Sequence, residues 1–388
     1  MFPTFNLYST SLLLLTSQGV IFSGLLLSRF VKQRKPSDLL LALVLIITCY
    51  HQTSYTIGFL SWYDTYRTTK INYYLVDLSF ALAPLIYYYI RSVVSPSSRL
   101  KEIQYWHFIP MLLYFLLKAF ILIYDRSQPG FDEVQNGYLV VNFQWRYVDP
   151  FVFILKTLQM LLYLAFSFQL LYVFREKIKH YFANTYKLEL NWLRNFLIAY
   201  SFLYLFNVGQ TVIDESITNL SWIQEWWYYL LSGIAIIYVG ISGYFTKLTA
   251  LQNVDFSRFE QTKLSKKPTR TITDDQMAKR KTQLEQFMRT QRPYLDADLT
   301  LVSLAQKIGV SREELSDTIN QGFHNRFNDF INSYRVVETK RLIHDGKHKT
   351  HSLLGLAYEA GFNSKATFNR AFKKAESQSP SEYLESLM

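Results

Sequence analysis

Long apolar runs recur along the chain from residue 7 to residue 246, and none follows Phe245. A helix that crosses a bilayer needs about 20 mostly apolar residues. Seven stretches meet that need: 7–28, 38–60, 72–94, 104–124, 150–174, 192–213 and 225–246. The second is interrupted by Tyr50-His51-Gln52-Thr53, and the sixth holds Asn207 and Gln210. After residue 246 the pattern changes. Residues 248–262 read as a helical extension, which breaks at Lys266-Lys267-Pro268 and the polar stretch to Thr273; short amphipathic helices follow. The predicted fold is all-α. A seven-helix transmembrane domain covers 1–246, a juxtamembrane linker 247–274, and a compact helical domain 275–388.

The loops between the apolar stretches carry unequal charge. With the N-terminus outside, the inner loops are 29–37, 91–101 and 175–194, and they hold 12 Lys and Arg. The outer loops, 61–71, 125–149 and 214–224, hold 4. Cytoplasmic loops of membrane proteins carry such an excess. The bias requires all seven crossings to alternate, and it places the compact domain in the cytoplasm. The first stretch has no basic residue before it, and Arg29, Lys32, Arg34 and Lys35 follow it. That order is the reverse of a signal peptide, so the stretch is expected to stay as a helix. Trp62, Trp106, Trp145, Trp222, Trp226 and Trp227 fall at or near the ends of the stretches, where interfacial anchors sit. The expected location is the inner (cytoplasmic) membrane, and the lipid bilayer is one expected partner.

Composition agrees with this division. Of the 388 residues 49% are hydrophobic and only 18% charged, against about 25% charged in ordinary soluble domains. The net charge of +11 is shared, with +5 on 1–246 and +6 on 247–388. A basic soluble part suits an anionic partner, nucleic acid or an anionic membrane face. The single cysteine, Cys49, excludes an intrachain disulfide and any metal site built on cysteines.

The compact part reads as two similar units. Residues 275–291 form a first helix. Thr300 caps Leu301–Ile308, Gly309 turns the chain, and Ser311 starts a second helix to Gln321, with Glu314 placed for a capping box. Leu315 and Ile319 point inward. A longer helix, Arg326–His344, carries Phe327, Phe330, Ile331, Tyr334, Val337 and Leu342 at helical spacing. The pattern then repeats: a short helix Leu353–Ala360, a turn at Gly361, and Ser364 capping Lys365–Ala375 with Phe368 and Phe372 inward. A last helix begins at Pro380, in the favoured first-turn position. Two helices joined by a tight glycine turn form a helix-turn-helix.

Residues 275–386 resemble the AraC/XylS DNA-binding domain over its whole length. The resemblance rests on Leu301, Leu304-Ala305, Gly309-Val310-Ser311, Leu315-Ser316, Ile319-Asn320 and Phe330-Ile331-Asn332-x-Tyr334-Arg335. In the second half it rests on Leu356-Ala357, Gly361-Phe362-Asn363-Ser364, Phe368-x-Arg370-x-Phe372-Lys373 and Ser379-Pro380-Ser381-Glu382-Tyr383. The chain departs from the family at Glu376-Ser377, where a glycine commonly precedes the Ser-Pro pair. The resemblance implies two recognition helices that enter successive major-groove segments of double-stranded DNA about 10 bp apart, and it leaves room for a homodimer. Its candidate base readers are Lys365, Ala366, Thr367, Asn369 and Arg370 in the second unit, and Arg312, Glu313, Ser316, Asp317 and Asn320 in the first. Lys373, Lys374 and Arg326 are placed for phosphates. Two readings stay open. Arg370 is also suited to an internal salt bridge, and the acidic first helix (Glu313, Glu314, Asp317) is equally a solvated face.

Polar residues inside the apolar stretches point to a second site. On the expected topology Asp77 lies about 8 Å below the outer boundary, and Lys118 and Lys156 about 9 Å. His51, Asn207 and Gln210 fall at or above mid-membrane. Charges in a membrane span face the bundle interior, a partner or water. These six residues are the candidate pocket for an extracytoplasmic ligand, anionic or zwitterionic to balance the surplus lysine. The alternative is an Asp77–lysine pair that fixes packing while the other lysine snorkels outward.

No metalloprotease motif, phosphate loop or Gly-x-Ser-x-Gly is present, the last apolar stretch has no lysine to carry retinal, and no nucleotide-binding segment supports a kinase. His344, His348 and His351 sit in a short Lys-rich loop, and no metal or other cofactor is expected there. The chain is not expected to be an enzyme. Two functions remain: a membrane-embedded one-component transcription regulator, or a membrane receptor or anchor whose tail binds a protein partner or is released by proteolysis.

Overall fold

The structure, a computed structural model, describes residues 5–60, 77–94, 103–134, 136–185, 188, 190–246 and 273–387. Among them every regular element is helical. The chain forms two compact units: Met1–Leu171 with Asn191–Asn253, and Tyr172–Leu190 with Val254–Met388.

Among the described residues the first unit is built on seven helices: α1 (Leu7–Gln33), α2 (Pro36–Phe59), α3 (Ser79–Val94), α4 (Ile109–Arg126), α5 (Asp149–Tyr181), α6 (Asn191–Ser216) and α7 (Trp222–Phe245). The last turns of α5, from Tyr172, belong to the second unit. Asn6 and Ser221 open α1 and α7 with reciprocal side-chain caps, and Pro36 takes the first turn of α2. Irregular helical turns at Val140–Val148 lead into α5.

Six of these helices are long and apolar enough to cross a membrane. α3 is apolar but spans only 16 residues. The start of the expected 72–94 stretch lies outside the described residues, and Asp77, expected within that helix, sits just before it. Helix α3 is the most enclosed, buried on nearly every face. By contrast, α4 and α5 expose Leu113, Phe120, Ile123, Phe151, Ile154 and Leu158. Such a continuous apolar exterior is foreign to a surface bathed in water.

α1 packs on α2 and α7, α2 also on α3 and α7, and α6 on α7. Small residues allow the close approach: a Cβ on Gly240 would stand 2.7 Å from the Phe22 ring. At one end of this group Arg29 forks onto both carboxylate oxygens of Asp38, at 2.6 and 2.8 Å. It also bonds the Tyr244 carbonyl and lies over the Tyr244 ring, tying α1 and α2 to α7. Of the six expected anchors, Trp106, Trp145 and Trp227 are exposed. Trp226 is buried, donating to the Tyr8 carbonyl at 3.2 Å, so it packs rather than anchors. Trp62 and the Trp222 side chain lie outside the described residues, as do the extension 248–262 and the linker to residue 272.

The second unit contains α8 (Asp274–Gln291), α9 (Leu301–Ile308), α10 (Arg312–Asp317), α11 (Phe327–His344), α12 (Leu353–Glu359), α13 (Lys365–Glu376) and α14 (Pro380–Glu385). It has two cores. Leu284, Met288, Leu304, Leu315, Ile319 and Phe330 gather α8 to α10 onto one face of α11. Val336, Ile343, Leu356, Phe362, Phe368 and Phe372 gather α12 to α14 onto another. Each fully buried Phe contributes about 1.5–3 kcal/mol over its exposed form. α11 is the shared spine, and that corrects one expected position. Val337 is 66% exposed, and Val336 is buried instead. The inward face shifts because Val336 is about 140° around the helix from Ile331 and serves the second core.

Candidate nucleic-acid interface and a cavity among the apolar helices

In each half of the second unit a short helix is halted by glycine and a second, capped helix follows. Gly309 ends α9 in the left-handed conformation (φ 80°), and Gly361 takes φ 93° between α12 and α13. Glycine enters that region without the penalty of a Cβ. Ser311 Oγ accepts from the Glu314 amide at 3.1 Å, and Ser364 Oγ from the Thr367 amide at 3.2 Å. The Glu314 carboxylate does not close the expected capping box; it pairs with Arg280 of α8 at 3.0 Å. Reciprocal boxes form at Thr300–Ser303 and Ser379–Glu382. Helix α10 loosens after Asp317 into wider turns through Gly322, so the expected helix to Gln321 is regular only in its first half.

Helix α13 presents Lys365, Ala366, Asn369, Arg370, Lys373 and Lys374 on its exposed face. Thr367 is not among them. It is 1% exposed, and its hydroxyl accepts from Ser364 Oγ at 2.9 Å, so it serves the cap and is closed to a base edge. Lys374 reaches Asp329 of α11 at 2.9 Å. In the first half Glu313 and Asn320 are exposed, and Asn320 donates to Ser316 Oγ at 3.1 Å. Asp317 is half-buried, and burial raises its carboxyl above the ordinary value against the pull of Arg280. Such a carboxylate belongs to the packing with α8 more than to a base edge.

Besides Lys374, two further candidate DNA contacts are engaged within the unit. Arg312 bonds Glu313 at 2.7 Å and lies 5.6 Å from the centre of the Tyr181 ring. Arg326 pairs with Glu176 at 2.6 Å. The segment that holds them, Tyr172–Leu190, was expected inside the membrane domain on hydropathy. Its residue Ala183 is fully buried in the core of α8 to α11. Ala183 donates its amide to the Leu299 carbonyl at 3.2 Å, and its own carbonyl accepts from Asn328 Nδ2 at 2.5 Å. The three histidines of the inter-unit loop have separate partners: His344 with Tyr383, His348 with the Ile343 carbonyl, and His351 with Thr350.

Buried Arg335 joins the two halves. Its guanidinium donates to the carbonyls of Tyr294 and Asp296, both at 2.8 Å, and lies over the Phe362 ring. Desolvation pushes its pKa down to about 10, so it stays charged at neutral pH. Gly361 abuts the same turn: a Cβ there would stand 2.3 Å from the Tyr294 carbonyl oxygen.

In the first unit a cavity of about 530 Å³ gathers five of the six expected pocket residues: His51, Asp77, Lys118, Lys156 and Asn207. Asp77 pairs with Lys156 and accepts from the Ser79 amide at 2.8 Å. His51 Nε2 accepts from the Leu78 amide at 3.2 Å. Lys156 also lies over the rings of Phe80 and Tyr114. Gln210 is the exception. It does not line the cavity, and its amide donates to the Gln224 carbonyl at 3.0 Å near the helix ends. Gln144 and Asp149 also line the cavity and escaped the sequence reading. Both fell in the expected outer loop 125–149. Asp149 accepts from Tyr114 Oη and Gln144 Nε2, each at 3.2 Å.

Two glycine-turned, capped helix pairs around one spine, the second with a basic exposed face, define a DNA-binding domain of the helix-turn-helix class. The Helix-turn-helix domain family matches residues 304–386, and the domain is of the AraC type. It is a family of DNA-binding domains, not of enzymes. The chain matches no curated protein and no solved structure.

Proposed function

We propose that this chain is a membrane-embedded, one-component transcription regulator. The observation that carries the proposal is an AraC-type helix-turn-helix domain on one chain with six helices of membrane-crossing length and apolarity. Their exposed apolar side chains and the Lys and Arg asymmetry of the loops support seven crossings, α3 among them, with the N-terminus outside and residues 275–388 in the cytoplasm. In this reading the protein resides in the cytoplasmic membrane. Lys365, Asn369 and Arg370 lead base recognition, and Lys373, Lys374 and Arg326 hold phosphates.

The cavity is the sensor of an extracytoplasmic ligand. Helix α5 is the coupling element, because it bears both Lys156, a cavity residue, and Glu176, the partner of Arg326. Coupling requires an element with two arrangements that both sites bias. Release of Glu176 would free Arg326 for DNA, while Arg312, once off Tyr181, would still have to exchange Glu313 for phosphate. The test is selection of duplex DNA from a random pool by the full-length protein in nanodiscs. A shared sequence with two short elements about one helical turn apart, bound with steep salt dependence, supports the reading. A pool left unenriched at every salt concentration contradicts it and favours a tail that binds protein.

A further inference from the structure

The cavity described above has a neighbour. A second cavity of about 460 Å³ lies among α2, α6 and α7, walled by apolar groups such as Val44, Leu45, Phe196, Leu203 and Ile234. The two share His51, Leu82, Tyr200, Tyr204, Tyr228 and Tyr229 along their linings. A polar chamber therefore adjoins an apolar one across a wall of tyrosines, whose rings suit one side and whose hydroxyls suit the other. Each chamber falls in the size range of small-molecule sites, about 300–1,000 Å³.

The charges in the polar chamber narrow the choice of ligand. Among the described residues that line it, Lys118 and Lys156 are matched by Asp77 and Asp149. The surplus of positive charge expected from the sequence disappears, because Asp149 lines the chamber. A ligand with net charge would add an uncompensated charge to a poorly solvated space, which is costly. A zwitterion adds none. Lys118 and Asp149 interact electrostatically with each other in this chamber, and a zwitterion set against them would place its anionic group toward Lys118 and its cationic group toward Asp149, which also accepts from Tyr114 and Gln144. Gln144 is 4% exposed, and its Oε1 lies buried without a hydrogen-bond partner among the described residues. Buried polar atoms are nearly always satisfied, so this acceptor fits a donor on a bound ligand.

We infer that the two chambers open to each other past the tyrosines and together bind a single-chain amphiphile with a zwitterionic head, the head among Lys118, Gln144 and Asp149 and the tail between α2, α6 and α7. This deepens the sensor reading and rests on it for biological purpose, but the binding itself requires neither DNA nor membrane topology.

The test uses full-length protein in maltoside micelles, with bound molecules counted by native mass spectrometry. Four probes are compared: dodecylphosphoethanolamine, whose ammonium N–H groups can donate to Gln144 Oε1, tail-less glycerophosphoethanolamine, dodecyl phosphate and dodecylammonium. One copy of dodecylphosphoethanolamine per chain is expected, with the other three at least tenfold weaker. Lys118→Met and Asp149→Asn should each weaken it about tenfold. Ala235→Trp, which fills the apolar chamber and leaves the charges alone, should abolish it. Unchanged elution in size exclusion shows that each variant is folded. Equal retention of glycerophosphoethanolamine, equal retention of either charged amphiphile, or full retention by Ala235→Trp would each overturn the proposal. A two-tailed lipid co-purifying from cells in these chambers would overturn it as well.

Discussion

Arg335 offers the sharpest test of how the DNA-binding domain is held together. The side chain is fully buried, and its guanidinium satisfies two backbone carbonyls of the turn that precedes α9. Arg335→Met keeps a long side chain and removes every donor. Each orphaned buried acceptor costs about 1–3 kcal/mol. Against this, Met carries no charge to desolvate, and that relief offsets part of the loss. The expected balance is a loss of about 2–4 kcal/mol, combining both terms. None of the 7 tryptophans lies in residues 273–387, so intrinsic tryptophan fluorescence does not report on this domain. Hydrogen exchange of the full-length protein in detergent does, read as the opening free energy of peptides covering 293–297 and 330–344. Protection should fall roughly 30- to 1,000-fold at 1.4 kcal/mol per tenfold. A fall of less than about fivefold, under 1 kcal/mol, would refute the view that Arg335 clamps the two halves.

Further expectations follow from other contacts. Gly361→Ala should destabilise the domain by more than the roughly 1–2 kcal/mol of a left-handed Ala alone, because its Cβ meets the Tyr294 carbonyl; exchange of α13 is the readout. Arg370→Ala should weaken binding to the selected DNA sequence by about 1–3 kcal/mol and relax preference at one base pair, seen by fluorescence anisotropy on single-base variants. Thr367→Val should leave base preference unchanged and cost only cap stability, since its hydroxyl faces Ser364. Glu176→Gln should raise DNA affinity modestly, up to about fivefold, as a partly exposed ion pair contributes about 0.2–1 kcal/mol; a decrease would contradict its role as a competitor of phosphate.

Much of this architecture was legible along the chain. The two kinds of hydrophobic spacing separate membrane-length helices from amphipathic ones, and Gly309, Gly361, Ser311 and Ser364 mark the turns and caps through local chemistry alone. What the pattern concealed is tertiary. Val336 and Val337 look alike in periodicity, and only the second core decides between them. Thr367 reads as an outward helix residue until its hydroxyl is seen to meet its own cap. Asp149 sits at the edge of an apolar run, where hydropathy assigns a loop, yet the wide turns of Val140–Val148 carry it and Gln144 into the cavity wall. The assignment of Tyr172–Leu190 to the DNA-binding unit depends on Ala183, whose small side chain has no distinctive sequence signal.

The central claim, that an intact membrane protein occupies DNA, is tested most directly in cells. Cells expressing the tagged full-length protein are cross-linked, the protein is recovered, its length is checked, and the bound DNA is sequenced. The account predicts discrete genomic sites, each with two short elements about one helical turn apart, held by the full-length chain. Recovery of those sites only with a shortened fragment, or no enrichment from cells in which the full-length protein is abundant and folded, would contradict it.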